Sequence, residues 1–426
     1  MFKERMLLGS ALCAMLAFTT PAGADVVGDW NLIATQAVAA AGAARPGPSG
    51  QIDIAMVQIA VHDAVQAYQG RFELYGGPID GAAGSVVAAV ATAARDVLMG
   101  CGLVTTPAGS VDSLYTDYLT TRGLGGDAGI VVGQTAAAHI LALRASNDGR
   151  VPANAEVFVG GTSIGEWRPT SFTAAGQPAP MVAAYLRGLR PFTLKDASQF
   201  LPGPPPKLKT HKYAEEYEEV RSLGGLTGSD RRPSQTDIAL FFADTPVMYW
   251  NRAMRTIATL DLTDIGEIAR MFALVNMAMA DALIGCWESK VHFNYWRPIT
   301  AIRLGDDDDN RRTIGDPTWT PYITTPNYPD YASGANALTG AATVMLANVL
   351  GSDRFSFELT STFVHPTTGE KPQNPRRYVR FSDAADDVVE ARIYLGIHFR
   401  SADEDARSQG KHIANWAYAH FLRATR

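Results

Sequence analysis

Cysteine is scarce in this chain: Cys13, Cys101 and Cys286 are the only three in 426 residues, which excludes a disulfide-built scaffold. Positive charge is not in excess either. The 37 Lys and Arg face 43 Asp and Glu, a formal net charge of −6, which argues against nucleic acid and an anionic membrane surface as partners. Stretches that alternate in the strand manner are few, and no internal repeat of solenoid type recurs. Beyond the N-terminal run, no stretch reads as long and apolar enough to span a bilayer, so the mature chain is expected to stay out of the membrane.

What is present starts with a charged, then apolar, then small-residue order. Lys3 and Arg5 precede the apolar run 6–18, and Ala22-Gly23-Ala24 comes before Asp25. This order predicts a secretory signal peptide over residues 1–24, and hence a periplasmic or secreted protein. Its removal takes the formal charge to about −7 and leaves Cys101 and Cys286, enough for one disulfide if they meet in space.

The remaining 400 or so residues read as alanine-rich helices. Apolar residues recur at i, i+3 and i+4 over 51–69, 84–99, 127–145, 264–289 and 333–350. The pattern Ser401-x-x-Glu404 predicts a capping box opening a last helix with Ala406, Ile413, Ala417 and Phe421 on one face. The fold class expected is all-α, as two packed helical-bundle halves, 25–206 and 207–426. The Pro- and Gly-rich stretch 158–206, ending Pro202-Gly-Pro-Pro-Pro206, separates them. A second loop, 304–332, carries Asp306 to Asp309. It lacks the glycine and glutamate of a calcium loop and reads as a solvated charge run.

The chemistry-bearing residues lie in the second half. Lys290-Val-His-Phe-Asn-Tyr-Trp-Arg-Pro298 places a lysine and an arginine seven apart, close to two helical turns, which predicts both cations on one face. Buried cations among aromatics need an anion. Tyr331-Ala332-Ser333-Gly334-Ala335-Asn336 opens an apolar run with a hydroxyl and N–H groups at a helix start, a geometry that suits oxyanions. Arg392-Ile-Tyr-Leu-Gly-Ile-His398 adds a guanidinium fork and an imidazole that can attack or ligate a central atom. Taken singly each motif is weak. Lys-x6-Arg is common as a snorkelled surface pair, and Ser-Gly as a plain N-cap. Their order and spacing make the set specific.

Together the three motifs resemble the signature of the vanadium-dependent haloperoxidases, shared with the type 2 phosphatidic acid phosphatase superfamily. By motif the likeness covers roughly the C-terminal third. Trp287, Tyr328 and the stretch around His62-Asp63 tilt it toward the bacterial peroxidases. The resemblance implies vanadate as cofactor, in a site that phosphate also fits. His398 would be the vanadium ligand, and Lys290, Arg297, Ser333, Gly334 and Arg392 would hold the oxygens. Lys290 would also polarise bound peroxide, with Trp287 and Tyr328 beside the halide. Hydrogen peroxide and halide are then the substrates. A phosphate ester is the alternative, as is a non-catalytic oxyanion binder, and a homodimer is compatible with the resemblance.

Two positions depart from the pattern. Ala335 stands where the family motif Ser-Gly-His has its histidine, and Ala391 stands where the third motif usually has serine. The loss implies a weaker oxidant, so bromide or iodide is the expected halide and chloride is not. His365, in a Pro-flanked loop, is the candidate to reach over the pocket in its place. His62 reads as structural, His292 as facing away, and His211, His412 and His420 as surface. Asp281 and Asp403 are the candidates for orienting Arg392 or His398.

Overall fold

The computed structural model describes residues 25–145 and 157–425. The segment read as a signal peptide lies outside these residues. Among them are thirteen α-helices and two short two-stranded sheets, Thr105–Thr106 with Gly109–Ser110 and Phe357–Leu359 with Arg376–Tyr378. The all-α expectation holds.

The N-terminal helices are α1 (Asp25–Ala41), α2 (Gly50–Gln69), α3 (Val86–Gly100), α4 (Val111–Thr120) and α5 (Gly129–Leu143). After a stretch whose one helical turn is Ala184–Gly188 come α6 (His211–Leu223), α7 (Pro233–Phe242), α8 (Pro246–Asp261), α9 (Ile265–Phe293) and α10 (Pro298–Arg303). The chain closes with α11 (Gly334–Leu350), α12 (Phe381–Tyr394) and α13 (Arg400–His420). Side-chain caps open α3, α4, α6 and α9, on Ser85, Ser110, Thr210 and Asp264. The last helix has none. It begins one residue earlier, at Arg400, and the Ser401 hydroxyl donates instead to Glu216 Oε2 at 2.7 Å. Packing against α6 has taken the group that a capping box would have used.

Helix α9 is the axle of the molecule. It packs on α2 on one side and on α11 and α13 on the other, and one apolar core runs from Val26 to Leu422. At 29 residues α9 is long and apolar enough to cross a membrane, which the sequence reading had not expected. In this fold 94% of its most apolar window is buried, so its all-round hydrophobicity serves the core.

Helices α11 and α13 approach closely because two glycines let them. A Cβ on Gly410 would fall 2.1 Å from the Ala337 carbonyl oxygen, and one on Gly340 would fall 2.4 Å from the Arg407 carbonyl oxygen. The Ser333 N–H donates to the Ala402 carbonyl at 2.9 Å, which pins the two N-termini together.

The Asp306–Asp309 run is only partly solvated. Asp308 is buried, accepting from the Thr313 hydroxyl at 2.8 Å and the Asn310 N–H at 2.8 Å. No disulfide joins Cys101 to Cys286.

Candidate oxyanion site

Lys290 and Arg297 do converge, but not by helical periodicity. Helix α9 ends at Phe293, Asn294 takes a left-handed conformation (φ 46°), and Arg297 is the N-cap of α10. The two cations reach one point because the chain turns between them, and both lie 4.8 Å from the Tyr328 ring centroid. Arg392 and His398 are likewise not two turns of one helix. Helix α12 stops at Tyr394 and Gly396 (φ 74°) reverses the chain. A Cβ at Gly396 would lie 2.3 Å from the Gly224 carbonyl oxygen, so this turn requires glycine.

All three cations are buried, yet they are held differently. Lys290 Nζ donates to the carbonyls of Pro329 (2.7 Å), Asp330 (3.2 Å) and Ala332 (2.5 Å), using the three protons an ammonium has. In this arrangement it anchors the loop between α10 and α11 rather than facing an open cradle. Arg297 donates from Nε to the Tyr328 carbonyl at 2.7 Å and from Nη1 to the Ile397 carbonyl at 2.6 Å. Its Nη2 is buried with no partner. The Nε and Nη2 of Arg392 are also buried without partners.

His398 Nδ1 sits 2.7 Å from Asp330 Oδ1, both side chains being buried. Burial, with Arg297, Lys290 and Arg392 nearby, holds His398 well below the ordinary imidazole range, so the ring is neutral near pH 7. The Nδ1 contact with Asp330 is one of distance and charge, since Asp330 Oδ1 is left without a hydrogen-bond partner, and Arg297 Nη1 rests 3.0 Å from Nε2. Burial likewise pulls Lys290 down to about 7 and, against the pull of Arg297 and Lys290, pushes Asp330 up to about 7. Arg297 and Arg392 are lowered by the same loss of water.

Ser333 is the N-cap of α11, and Gly334 opens that helix with the Trp287 ring against it. The Trp287 and Tyr328 rings lie tilted at 54° with centroids 5.2 Å apart, and the Trp287 Nε1 donates to the Val182 carbonyl at 3.0 Å. Ala335 is half-buried one residue into this helix. Thus the structure brings together Lys290, Arg297, Ser333, Gly334, Arg392, His398, Trp287 and Tyr328.

Two expectations fail, and one residue of the site went unnamed. His365 does not reach over the pocket: its Nε2 pairs with the Tyr322 carbonyl at 2.9 Å and its Nδ1 accepts from the Thr367 and Thr368 N–H groups, so both nitrogens are already used. Asp281 orients neither Arg392 nor His398. Its oxygens take the Phe192 N–H (2.6 Å), the Thr193 N–H (2.7 Å) and the Thr193 hydroxyl (2.5 Å). The carboxylate that does orient His398, Asp330, was missed. It lies in a loop without periodicity, and only its place two residues before Ala332 could have drawn notice.

Asn327, just before Tyr328, ties a distant hairpin to the site. Its Oδ1 accepts from the N–H groups of Thr170 (2.7 Å) and Ser171 (3.2 Å), and its Nδ2 donates to the carbonyls of Ala179 (3.1 Å) and Pro180 (2.8 Å).

Residues 270–426 match the family model of the vanadium chloroperoxidase second helical-bundle domain. Vanadium chloroperoxidase of Curvularia inaequalis is 32% identical over 183 residues, covering 35% of this chain and 29% of that protein. The chain therefore spans under a third of the length of this curated relative. Among solved structures, the first bacterial vanadium-dependent iodoperoxidase shares the fold with a TM-score of 0.73 at 24% identity, covering 95% of this chain and 97% of that one. An apo-type bacterial vanadium-dependent chloroperoxidase gives 0.68 at 16% identity, covering 87% and 92%. The C-terminal bundle is thus similar in sequence to the second helical-bundle domain of vanadium chloroperoxidase, and the chain as a whole shares the fold of bacterial vanadium-dependent haloperoxidases.

Proposed function

We propose that this protein binds vanadate in the cradle of Arg297, Arg392 and His398 and oxidises bromide or iodide with hydrogen peroxide. One observation carries the proposal: three nitrogens of two buried guanidinium groups, Arg297 Nη2 and Arg392 Nε and Nη2, have no partner. Buried charged donors left unpaired are costly, and a tetrahedral oxyanion supplies the acceptors they lack. The charge balance agrees, since Lys290, Arg297 and Arg392 face only Asp330 and Asp403 at close range.

When bound, vanadate supplies a Lewis-acidic centre at which hydrogen peroxide is made reactive toward halide. The chain's own residues do the rest. Arg297 and Arg392 neutralise oxygens with planar forks, and Ser333 offers its hydroxyl at a helix start, where the dipole favours negative charge. His398, with Asp330 Oδ1 2.7 Å from its Nδ1, would present a neutral nitrogen to the central atom. Trp287 and Tyr328 exclude water on the Lys290 side. With Ala335 contributing no proton donor, the easier halides, bromide and iodide, are the expected substrates and chloride is not.

A second reading uses the same residues for phosphomonoester hydrolysis, with His398 as nucleophile. The His398–Asp330 pair favours it, because a carboxylate-oriented neutral imidazole is also a nucleophile's arrangement. The test is bromide-dependent halogenation of a dye by the purified protein with peroxide, with and without added vanadate. Activity that requires vanadate is the expected result. Silence there, with hydrolysis of an aryl phosphate that vanadate inhibits, establishes the second reading instead.

A further inference from the structure

We infer that Asp403 stores the proton that this site hands to a bound oxyanion, passing it through the hydroxyl of Ser333. The inference rests on the oxyanion reading above and concerns which residue does what the alanine at 335 cannot.

The geometry comes first. Asp403 lies in the first turn of α13 and is completely buried. Its Oδ1 accepts from Asn336 Nδ2 at 2.8 Å. Its Oδ2 has no partner, nor has Asn336 Oδ1, and both are buried. An ionised carboxylate and an amide oxygen are acceptors only, so an ionised Asp403 strands two acceptors in one dry cluster. A protonated carboxyl supplies the missing donor.

Position comes next. The N–H of Ser333 is tied to the carbonyl of Ala402, the residue before Asp403, at 2.9 Å. This fixes the serine at the base of α13, and Asn336 Nδ2 reaches both Asp403 Oδ1 at 2.8 Å and Ser333 Oγ at 3.5 Å, so the carboxyl and the hydroxyl share one donor. No residue of α11 is titratable, so this helix offers no other acid beside Ser333. The charged groups that act on the carboxyl are Asp330, Arg392, Arg297 and Lys290. Burial pushes Asp403 well above the usual carboxylate range and Asp330 adds to this, while Ser333, Arg392 and Asn336 oppose it.

The step balances as a proton relay. The O–H bond of the Asp403 carboxyl breaks as its proton moves to Ser333 Oγ, and the proton already on Oγ moves to an oxygen of the anion. The serine ends as it began. The carboxylate left behind is stabilised by Arg392 and the Asn336 amide. A proton thus reaches the anion from the α11–α13 side, opposite in origin to the His398–Asp330 pair.

The experiment compares the wild type with Asp403→Asn, which keeps the shape and a donor but has no proton to release. Orthovanadate and inorganic phosphate binding are followed by calorimetry in buffers of different ionisation enthalpy, which gives both affinity and protons exchanged. The expected result is affinity within about tenfold of wild type, a proton count altered by about one, and loss of a protonated-carboxyl infrared band that shifts when phosphate is added. Halide oxidation should fall about a hundredfold and return in part when Ala335→His is added. An unchanged proton count and an unchanged infrared band overturn the inference. If Asp403→Asn does not fold, Asp330→Asn replaces it. The phosphate-sensitive band should survive there, and its absence from both wild type and Asp330→Asn overturns the proposal. Failure of the wild type to bind either anion strikes the oxyanion reading, whereas binding with no change in proton exchange strikes only the role of Asp403.

Discussion

Two buried polar clusters flank α9, and they are built on opposite terms. Toward the N-terminal half, Asn31, Asn251, Asn276 and Gln51 bind each other. Asn31 Nδ2 donates to Asn251 Oδ1 at 2.8 Å, Asn251 and Asn276 exchange bonds at 3.2 Å, and Gln51 Nε2 donates to Asn276 Oδ1 at 3.0 Å. These groups are neutral, and the amides supply donors and acceptors to one another. At the other end of α9 the cluster is charged, and beside three orphan acceptors (Asp330 Oδ1, Asn336 Oδ1 and Asp403 Oδ2) it leaves three guanidinium donors unmatched. A neutral amide network closes on itself and fixes a helix interface. A charged network with unmatched donors is complete only when an anion joins it. The same contrast separates the buried aspartates: Asp281 is saturated by three donors, whereas Asp403 has an oxygen with none.

This contrast can be broken at several points. The largest effect should come from Arg392→Ala, which removes two unpartnered charged donors. At about 1.5–3 kcal/mol for each charge-assisted bond, vanadate affinity should fall by a hundredfold or more while the urea midpoint stays near wild type or rises. A large stability loss with intact affinity would reverse the assignment. Asp281→Ala should do the opposite. It strands two buried N–H groups, so stability should drop by about 3 kcal/mol with anion affinity unchanged per folded molecule. Loss of affinity without loss of stability would move Asp281 into the site.

The smallest effect sharpens the comparison through pH. His62 and Asp63 are adjacent and buried in α2, away from the cradle. Burial lowers His62 from 6.5 to about 4, so in that window the unfolded chain holds a proton that the native ring refuses. Stability therefore falls as pH drops through it. Burial raises Asp63 from 3.8 to about 7, against hydrogen bonds from the Tyr75 and Gly76 N–H groups. Here the native state keeps the proton, so stability falls as pH rises through the window. The two slopes oppose where they overlap. Asp63→Asn should leave only the histidine slope, so that the urea midpoint climbs more steeply between about pH 4 and 6.5 than in wild type. A midpoint that climbs no more steeply would show that Asp63 is ionised throughout.

Helices and the three motifs were legible in the sequence because each has a local cause. Apolar periodicity marked α2, α3, α5, α9 and α11 to within two residues except at the end of α9, which runs on to Phe293. The convergence of Lys290 with Arg297 was foreseen for the wrong reason, since a left-handed Asn294 and a cap at Arg297 achieve it. What escaped has no local signature. Asp330 becomes a partner of His398 only through a tertiary contact across 68 positions of chain. The exhaustion of His365 by nearby backbone groups, and the use of Ser401 by Glu216, are likewise decided by which surface folds against which.

Asn327 gives the molecule a division between what is held in place for chemistry and what is held only by its backbone. One side chain gathers the hairpin through four backbone groups, while the neighbouring Tyr328 faces the cations. The hairpin thus borrows its position from Asn327 and owes the site no side chain in return. Its tip, where Phe172 is 67% exposed, can be lengthened, shortened or recoded without displacing Tyr328. Such an arrangement lets the approach to a reactive centre evolve as a separable part, in steps that leave the centre itself untouched.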